Sequence, residues 1–558
     1  MHAHKFNPHY FFMLEFLPIY NKGFKMKEAQ RHKVKLSTLT FSGVGTIVGS
    51  GWLFGSANAA AFAGPAAIFS WILGALMVLI IALNLIEISS NAPVRMGSMG
   101  YYLRYTHGSF ASFIAEWAIL IGFISSVPSE ATASTQYLSD WNFEWTHSLF
   151  NHTTLTITPM GLIVASFLCI VYFLINYYSL SFLAKSIKAI TIFKLIVPII
   201  SIIVFLAIGF DSSNFHAVGN HTLAPYGYSE VLTAITSAGV VYAFNGFQTP
   251  ITFAAEAENP KRDIPLAILG AIGICTVIYV LLQFSYIAAV PHNELINNGG
   301  WNKLNFSSPF AALAIALNMN FIAICLYADA FVSPSGAGII YSSTAARVIC
   351  GLASHMPKAF SKLDTRTGLP RVALFVVLLL SFVSLWLLPS WEELAAVISV
   401  GYVLSYATVP VCTSSFRKIA PVAHKDAIRI KGMSIIAPLG FIFATYMLYW
   451  SCWPLNGEVI AVVLIGLPLY FYYAYKNGEK IFHEIGKCMW IITYLIAIAI
   501  FGYIGSTNFG GHGFLANGWD HVILAIVAII FFIWGRAVSY KTPYYMAEIE
   551  NREVSSVG

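Results

Sequence analysis

Long apolar stretches separated by short polar connectors dominate the chain. About fourteen of them approach the roughly 20 residues that cross a hydrocarbon core. The pattern predicts an all-α polytopic membrane protein. It divides into a cytosolic tail over 1–35, membrane helices over 36–210, 229–415 and 434–538, and a second cytosolic tail over 539–558. The first (36–62), third (109–138), sixth (229–256) and eighth (316–346) stretches are interrupted or overlong. The first is the most informative, because Gly43, Gly45, Gly49, Gly51 and Gly55 crowd its middle. Glycine weakens a helix and lets the backbone approach a neighbour closely. In lipid, an unwound backbone is tolerated only where it is buried in protein or lines a cavity. A break near 45–51 therefore predicts a binding site at mid-membrane, the arrangement of secondary transporters.

The sixth stretch repeats the feature. Gly239, Gly246 and Pro250 interrupt it, which predicts a second break near 243–250. Each broken stretch opens a set of five, and five is odd, so the second set enters the membrane from the opposite face. Paired interrupted helices in two such halves point to an inverted repeat. The alternative is that glycine and proline are frequent in membrane helices and simply allow close packing. The last four stretches, over 434–538, fall outside the repeat and form a scaffold or an oligomer surface.

Composition strengthens the membrane reading. Hydrophobic residues make up 58% of the 558 positions and charged residues 10%, against roughly 25% charged in soluble domains. Mean hydropathy is +0.71. The net charge of +6 is not a nucleic-acid footprint, because the positive residues sort by loop. Every second loop is basic; of 31 Lys and Arg, the alternate loops hold only Lys303, and only Lys194 lies deep in a stretch. By the positive-inside rule both termini are cytosolic, in an inner membrane. Phe11–Tyr20 is too short for a signal peptide and contains Glu15 and Pro18; Met26 is an alternative start. Seven cysteines form no CxxC pair, so neither a disulfide framework nor a metal site is expected. The chain has no GxxxxGK[ST], no HExxH and no GxSxG. That argues against ATP drive and against hydrolytic chemistry. No catalytic residue and no cofactor is expected, and the proton gradient is the energy source. The glycosylation-like tripeptides at Asn151, Asn220 and Asn305 are read as chance.

Several motifs carry a family resemblance. Gly49-Ser-Gly51, Phe244-Asn-Gly-Phe247, Glu256-x-Glu-Asn-Pro with Asp263-Ile-Pro265, Pro93…Gly97…Gly100-Tyr101 and Tyr341…Ala346-Arg347 resemble the amino acid–polyamine–organocation permeases over about residues 36–415. Gly49–Gly55 and Asp329–Gly336 are most similar to the bacterial aspartate–proton symporter-like members. The resemblance implies a LeuT-type fold with a five-plus-five inverted repeat and about four extra C-terminal helices. It also implies alternating access, with amino acids or related amines as substrate.

An α-amino acid carries a carboxylate and an ammonium, and a mid-membrane site must compensate both. Half-helix N-termini offer free N–H groups and a positive dipole end. Val48, Gly49, Ser50 and Gly51 are the candidate carboxylate site, with the Ser50 hydroxyl as a helper. Free carbonyls near Thr46 and over Tyr242–Asn245 are the candidate ammonium site. Phe244 stands where the family often places an aromatic lid, or it only packs. Asn245 touches the substrate side chain or caps the broken helix.

Lys194 is the sharpest single residue, since a charge at mid-bilayer costs about 2.5–3.5 kcal/mol on insertion scales. Several proton-coupled members of the family carry a lysine in the fifth span in place of sodium, bridging spans one and eight. The alternative is a lysine snorkelling toward the cytosol. Glu130 and Asp329 are further candidates for proton coupling, or they hydrogen-bond neighbouring helices; Glu116 and Glu87 fit structural or gating roles. The reading is an importer of amino acids by proton-coupled symport. The alternatives are an amino acid/amine exchanger, a sodium-coupled symporter and a membrane nutrient sensor; a sensor or enzyme calls for a further soluble domain or a catalytic constellation, which the pattern lacks.

Overall fold

The computed structural model describes residues 34–547 apart from 93–97, 179, 220–221, 254–256, 365–369, 422–426, 480 and 517. Residues 1–33 of the tail expected over 1–35, the Pro93…Gly97 and Glu256 motif positions, Asn220 and everything from 548 onward lie outside the described residues.

The first apolar stretch folds as two helices. Helix α1 (Leu36–Ile47) ends where Val48 turns extended, and α2 (Gly51–Ala63) restarts behind Ser50. A 3-10 turn over Gly64–Ala66 leads into α3 (Ala67–Asn91). Helix α4 (Ser109–Ser139) is buried almost all round, and it is the central post of the molecule. A short antiparallel ribbon, β1 (Phe150–Asn151) with β2 (Thr156–Ile157), pairs Phe150 with Ile157 and precedes α5 (Pro159–Tyr178) and α6 (Leu180–Ile208).

The sixth stretch is more fragmented than expected. Helix α7 (Ser229–Ser237) stops before a left-handed Gly239, α8 (Val240–Ala243) is a single turn, and a 3-10 turn follows over Thr249–Phe253. The break thus begins near 238 instead of 243. Helix α9 (Pro260–Ala289) starts on the Asn-Pro…Asp motif: Pro260 occupies its first turn and the Asp263 carboxylate accepts the Asn259 N–H at 3.0 Å. Proline at N1 and a carboxylate reaching back to the cap are start signals. Then come α10 (Asn320–Gly351), α11 (Arg371–Leu387), α12 (Trp391–Ile419), α13 (Met433–Trp450), α14 (Leu455–Ile465), α15 (Leu467–Lys476), α16 (Ile481–Ile504) and α17 (Trp519–Val538).

Among the described residues, eleven helices are long and apolar enough to cross a membrane, and α1 and α11 are shorter apolar helices. The chain is a multi-pass membrane protein. Three features separate this count from the fourteen stretches of the sequence, the first being that α11 falls just short of the required length. The apolar run continues from α2 into α3 through the Gly64–Ala66 turn, and the pieces around Gly239 are each too short to count alone. Side chains such as Ile163, Phe167, Leu387, Ile465 and Ile530 stand exposed on the periphery, an apolar exterior suited to lipid.

α4 packs along α10 and α12, and α1 along α9. The two broken stretches cross where Gly246 meets Thr46. Gly246 has φ +110, and a Cβ there would lie 2.7 Å from Thr46 Cγ2, so no other residue fits. A parallel bridge between Val34 and Ala257 ties the same two stretches one level away.

Candidate functional site

At the head of α2, the Ser50 N–H donates to Glu130 Oε2 at 2.9 Å. The Tyr242 hydroxyl donates to Glu130 Oε1 at 2.6 Å and lies 3.3 Å from Ser50 Oγ. Trp391 Nε1–H donates to the same Ser50 Oγ at 2.9 Å. A buried carboxylate from α4 thus occupies the positive end of a half-helix, where an anion is favoured. Gly49 permits it: a Cβ there would lie 2.8 Å from Glu130 Oε1.

The carbonyl end of the break is equally engaged. Lys194 Nζ donates to Gly45 O at 3.1 Å and to Val48 O at 2.7 Å. The side chain is 1% exposed and points into the protein, so it does not snorkel. It also lies against Gly336 of α10, 3.3 Å from a Cβ built there, and so touches both α1 and α10. Its ammonium interacts electrostatically with Glu130 and Asp329. The Tyr279 hydroxyl of α9 reaches Ile47 O at 3.2 Å and Ala243 O at 3.1 Å, one carbonyl from each broken stretch.

The remaining sequence-derived candidates divide. Glu130, Lys194, Ser50 and Tyr242, with the backbone of Val48 and Gly49, come together in one network. Gly51 begins α2 beside them. Thr46 bonds back to Ser42 O at 2.9 Å and braces Gly246. Asp329 accepts from Ser333 Oγ at 2.9 Å, and its other oxygen is buried without a hydrogen-bond partner. Asn245 Oδ1 accepts from Gln248 at 3.3 Å and from Tyr406 at 3.5 Å, while its Nδ2 is buried and unpartnered. Phe244 is fully buried between Trp71 (6.1 Å) and Tyr279 (5.4 Å). The ring that covers Ser50 is instead Trp391, which stacks on Phe54 at 4.8 Å. Sequence reasoning misses Trp391 and Tyr279. Among 13 tryptophans and 29 tyrosines in apolar surroundings, nothing marks these two out.

Two helix breaks that lie side by side, with their backbone groups held by a carboxylate from α4, an ammonium from α6 and a phenol from α9, form the mid-membrane arrangement of a transporter. The amino acid permease family model matches residues 34–475, and the chain belongs to that family. It is 46% identical over 513 residues to the glutamate/serine transporter AimA of Bacillus subtilis, covering 91% of this chain and 94% of the relative. It is 35% identical over 514 residues to the aspartate-proton symporter of the same organism, covering 90% and 96%. A branched-chain amino acid permease, BcaP, is 23% identical over 448 residues, covering 79% and 92%. These relatives are transporters, not enzymes.

Proposed function

We propose that this permease imports small acidic or hydroxylated amino acids, of the glutamate, aspartate and serine type, by proton-coupled symport. The observation that carries the reading is the Glu130 carboxylate on the Ser50 N–H, opposite the Lys194 ammonium on the carbonyls of Gly45 and Val48. The similarity to a glutamate/serine transporter and to an aspartate-proton symporter supports the substrate class.

In this reading the substrate carboxylate takes the head of α2 at Val48–Gly51, and Glu130 accepts a proton as it gives up the Ser50 N–H. A neutral carboxyl then leaves without stranding a buried charge. The substrate ammonium takes carbonyls at the ends of α1 and α8, over Thr46 and Tyr242–Asn245. Lys194 holds α1 to α10, and breaking its two carbonyl bonds frees the inner half-helix to move. Asp329 is the second charge that Lys194 answers to. The architecture that accompanies this reading is a five-plus-five inverted repeat with fourteen passes and both termini cytosolic in the inner membrane. No cofactor is used, and the proton gradient supplies the drive.

The test is uptake into proteoliposomes with and without an inward proton gradient. Lys194→Ala and Glu130→Gln are expected to lose gradient-driven uptake. Unchanged gradient-driven uptake in both variants would falsify the coupling role. Uptake that appears only when the vesicles are preloaded with amino acid identifies an exchanger instead.

A further inference from the structure

The seam where α4 packs along α10 carries more polar groups than packing needs. Pro334 lies inside α10 and has no N–H, so the Ala330 carbonyl loses its helical partner; Ser134 Oγ of α4 takes the place at 2.7 Å. Asp329 stands beside that carbonyl and is fully buried. Its Oδ1 accepts from the Ser333 hydroxyl at 2.9 Å, and its Oδ2 has no partner. The Trp52 indole N–H of α2 faces the same carboxyl and is also buried without a partner. Two orphaned polar groups at one buried place call for an explanation. Acids within membrane helices mark ion and proton pathways.

The titratable neighbours of Asp329 fall on two other helices. On α6, Lys194 interacts electrostatically with it and with Glu130. On α4, Tyr137 interacts with Asp329 and with Asp140. Asp140 follows the last residue of α4, at the end away from the basic loops, which is the outer side in the reading above. It is half-buried, accepts from the Ser308 hydroxyl and feels the charges of His147 and His152. Burial nevertheless raises its carboxyl above the ordinary aspartate value. One acid thus stands at the mouth of the seam and one at its middle, with Lys194 and Glu130 beyond them.

We propose that this seam is the outer proton path of the permease: Asp140 takes a proton from outside, and Asp329 receives it and passes it to the Lys194–Glu130 pair. The Tyr137 hydroxyl is donor and acceptor at once, which suits a relay between the two aspartates. Glu130 takes a proton from Lys194 as the substrate displaces it, leaving a neutral amine. The proton on Asp329 Oδ2 then moves to that amine, which again becomes the ammonium that holds Gly45 O and Val48 O. Asp329 returns to the carboxylate and is refilled from Asp140. One proton enters for each proton that Glu130 carries inward. This inference rests on the proton-coupled reading above.

Proteoliposomes with a trapped pH dye record uptake of glutamate or serine together with proton influx. In Asp329→Asn both are expected to fall at least about a hundredfold, the smaller loss typical of a positioned proton-transfer group. Asp329→Glu is expected to restore part of each, which a merely packing side chain would not do. Asp140→Asn keeps an oxygen for Ser308 and cannot carry the proton. Its gradient-driven uptake is expected to fall at neutral outer pH and to recover as the outside is acidified. Its counterflow at equal pH on both faces, which needs no net proton, is expected to persist. Proton influx at the wild-type level in Asp329→Asn, no rescue by Asp329→Glu, or equal losses of uptake and counterflow in Asp140→Asn overturn the path and leave the coupling reading standing. If the wild type shows no gradient-driven uptake, the coupling reading fails, and infrared difference spectra of the purified protein decide this one. A step to acid pH must then produce a protonated-carboxyl band that Asp329→Asn removes; the same band in the variant overturns the proposal.

Discussion

At Gly49 the tolerance is smaller than a methyl group. A Cβ there meets Glu130 Oε1 at 2.8 Å and Ala337 Cβ at 3.2 Å, so the carboxylate cannot reach the head of α2 past an alanine. Gly49→Ala is therefore expected to reduce uptake by at least about a hundredfold, the loss that follows displacement of a positioned group by about an ångström. Membrane abundance should stay near wild type, because the surrounding helices are untouched; uptake assays normalised to immunoblots check both. The residues that can be read directly from the sequence are those that violate their surroundings. Lys194 stands out because it is charged in an apolar run, and Glu130 and Asp329 for the same reason. Ser50 stands out through the glycines that flank it. Tyr279 and Trp391 obey their surroundings, and only the partners that folding brings from 232 and 341 positions away give their polar atoms a role.

Among the elements, the first break was legible almost to the residue. Clustered glycines weaken the helix through Val48–Ser50, where α1 ends on an extended Val48 and α2 restarts after Ser50. The second was legible in place and too narrow in extent. Gly239 in a strip of alanine and valine looks like a packing glycine, and its left-handed φ of +82 arises from the fold around it. Long-range pairing between elements was the least legible. Glu87 near the end of α3 is 2% exposed and receives Arg417 of α12, Nη2 to Oε2, at 2.7 Å. The Ile430 N–H donates to the same carboxylate oxygen at 2.8 Å, and Arg417 donates to Ile430 O at 2.8 Å. The pair staples α3, α12 and the strand of chain before α13. Removing one partner strands a buried charge, which costs about 3–5 kcal/mol, whereas removing both costs less. Arg417→Ala is expected to lower the melting temperature of the purified protein clearly. Adding Glu87→Gln to it should recover part of the loss. A double variant no more stable than Arg417→Ala would count against a stranded charge.

For the whole molecule, the polar contacts gather at the two ends and the middle, and apolar packing fills what lies between. The end that carries the basic loops is closed by a network from distant parts of the chain. The Arg104 guanidinium lies over the Tyr544 ring at 4.3 Å and donates to Ser354 Oγ at 2.6 Å. Thr542 Oγ1 donates to Arg104 O, and Tyr540 N–H to Thr106 O. His355, after α10, meets Glu479, after α15, at 3.0 Å and stacks on Tyr470 at 4.5 Å. Burial raises the Glu479 carboxyl, but the hydrogen bonds from His355 and Asn477, with the positive field of groups such as Arg104, outweigh it and hold the group below its ordinary range. A carboxyl lowered by folding stabilises the fold above its unfolded pKa, and that contribution is lost as pH falls through the lowered value. The wild type should therefore keep its melting temperature at neutral pH and lose this share in acid, below the ordinary glutamate range. His355→Leu, which cannot donate to Glu479, should melt lower than wild type at neutral pH, and the gap should close as the pH falls. Melting curves of both proteins across pH 3–8 measure it, and a gap that stays constant over that range would assign Glu479 no part in holding the closed end.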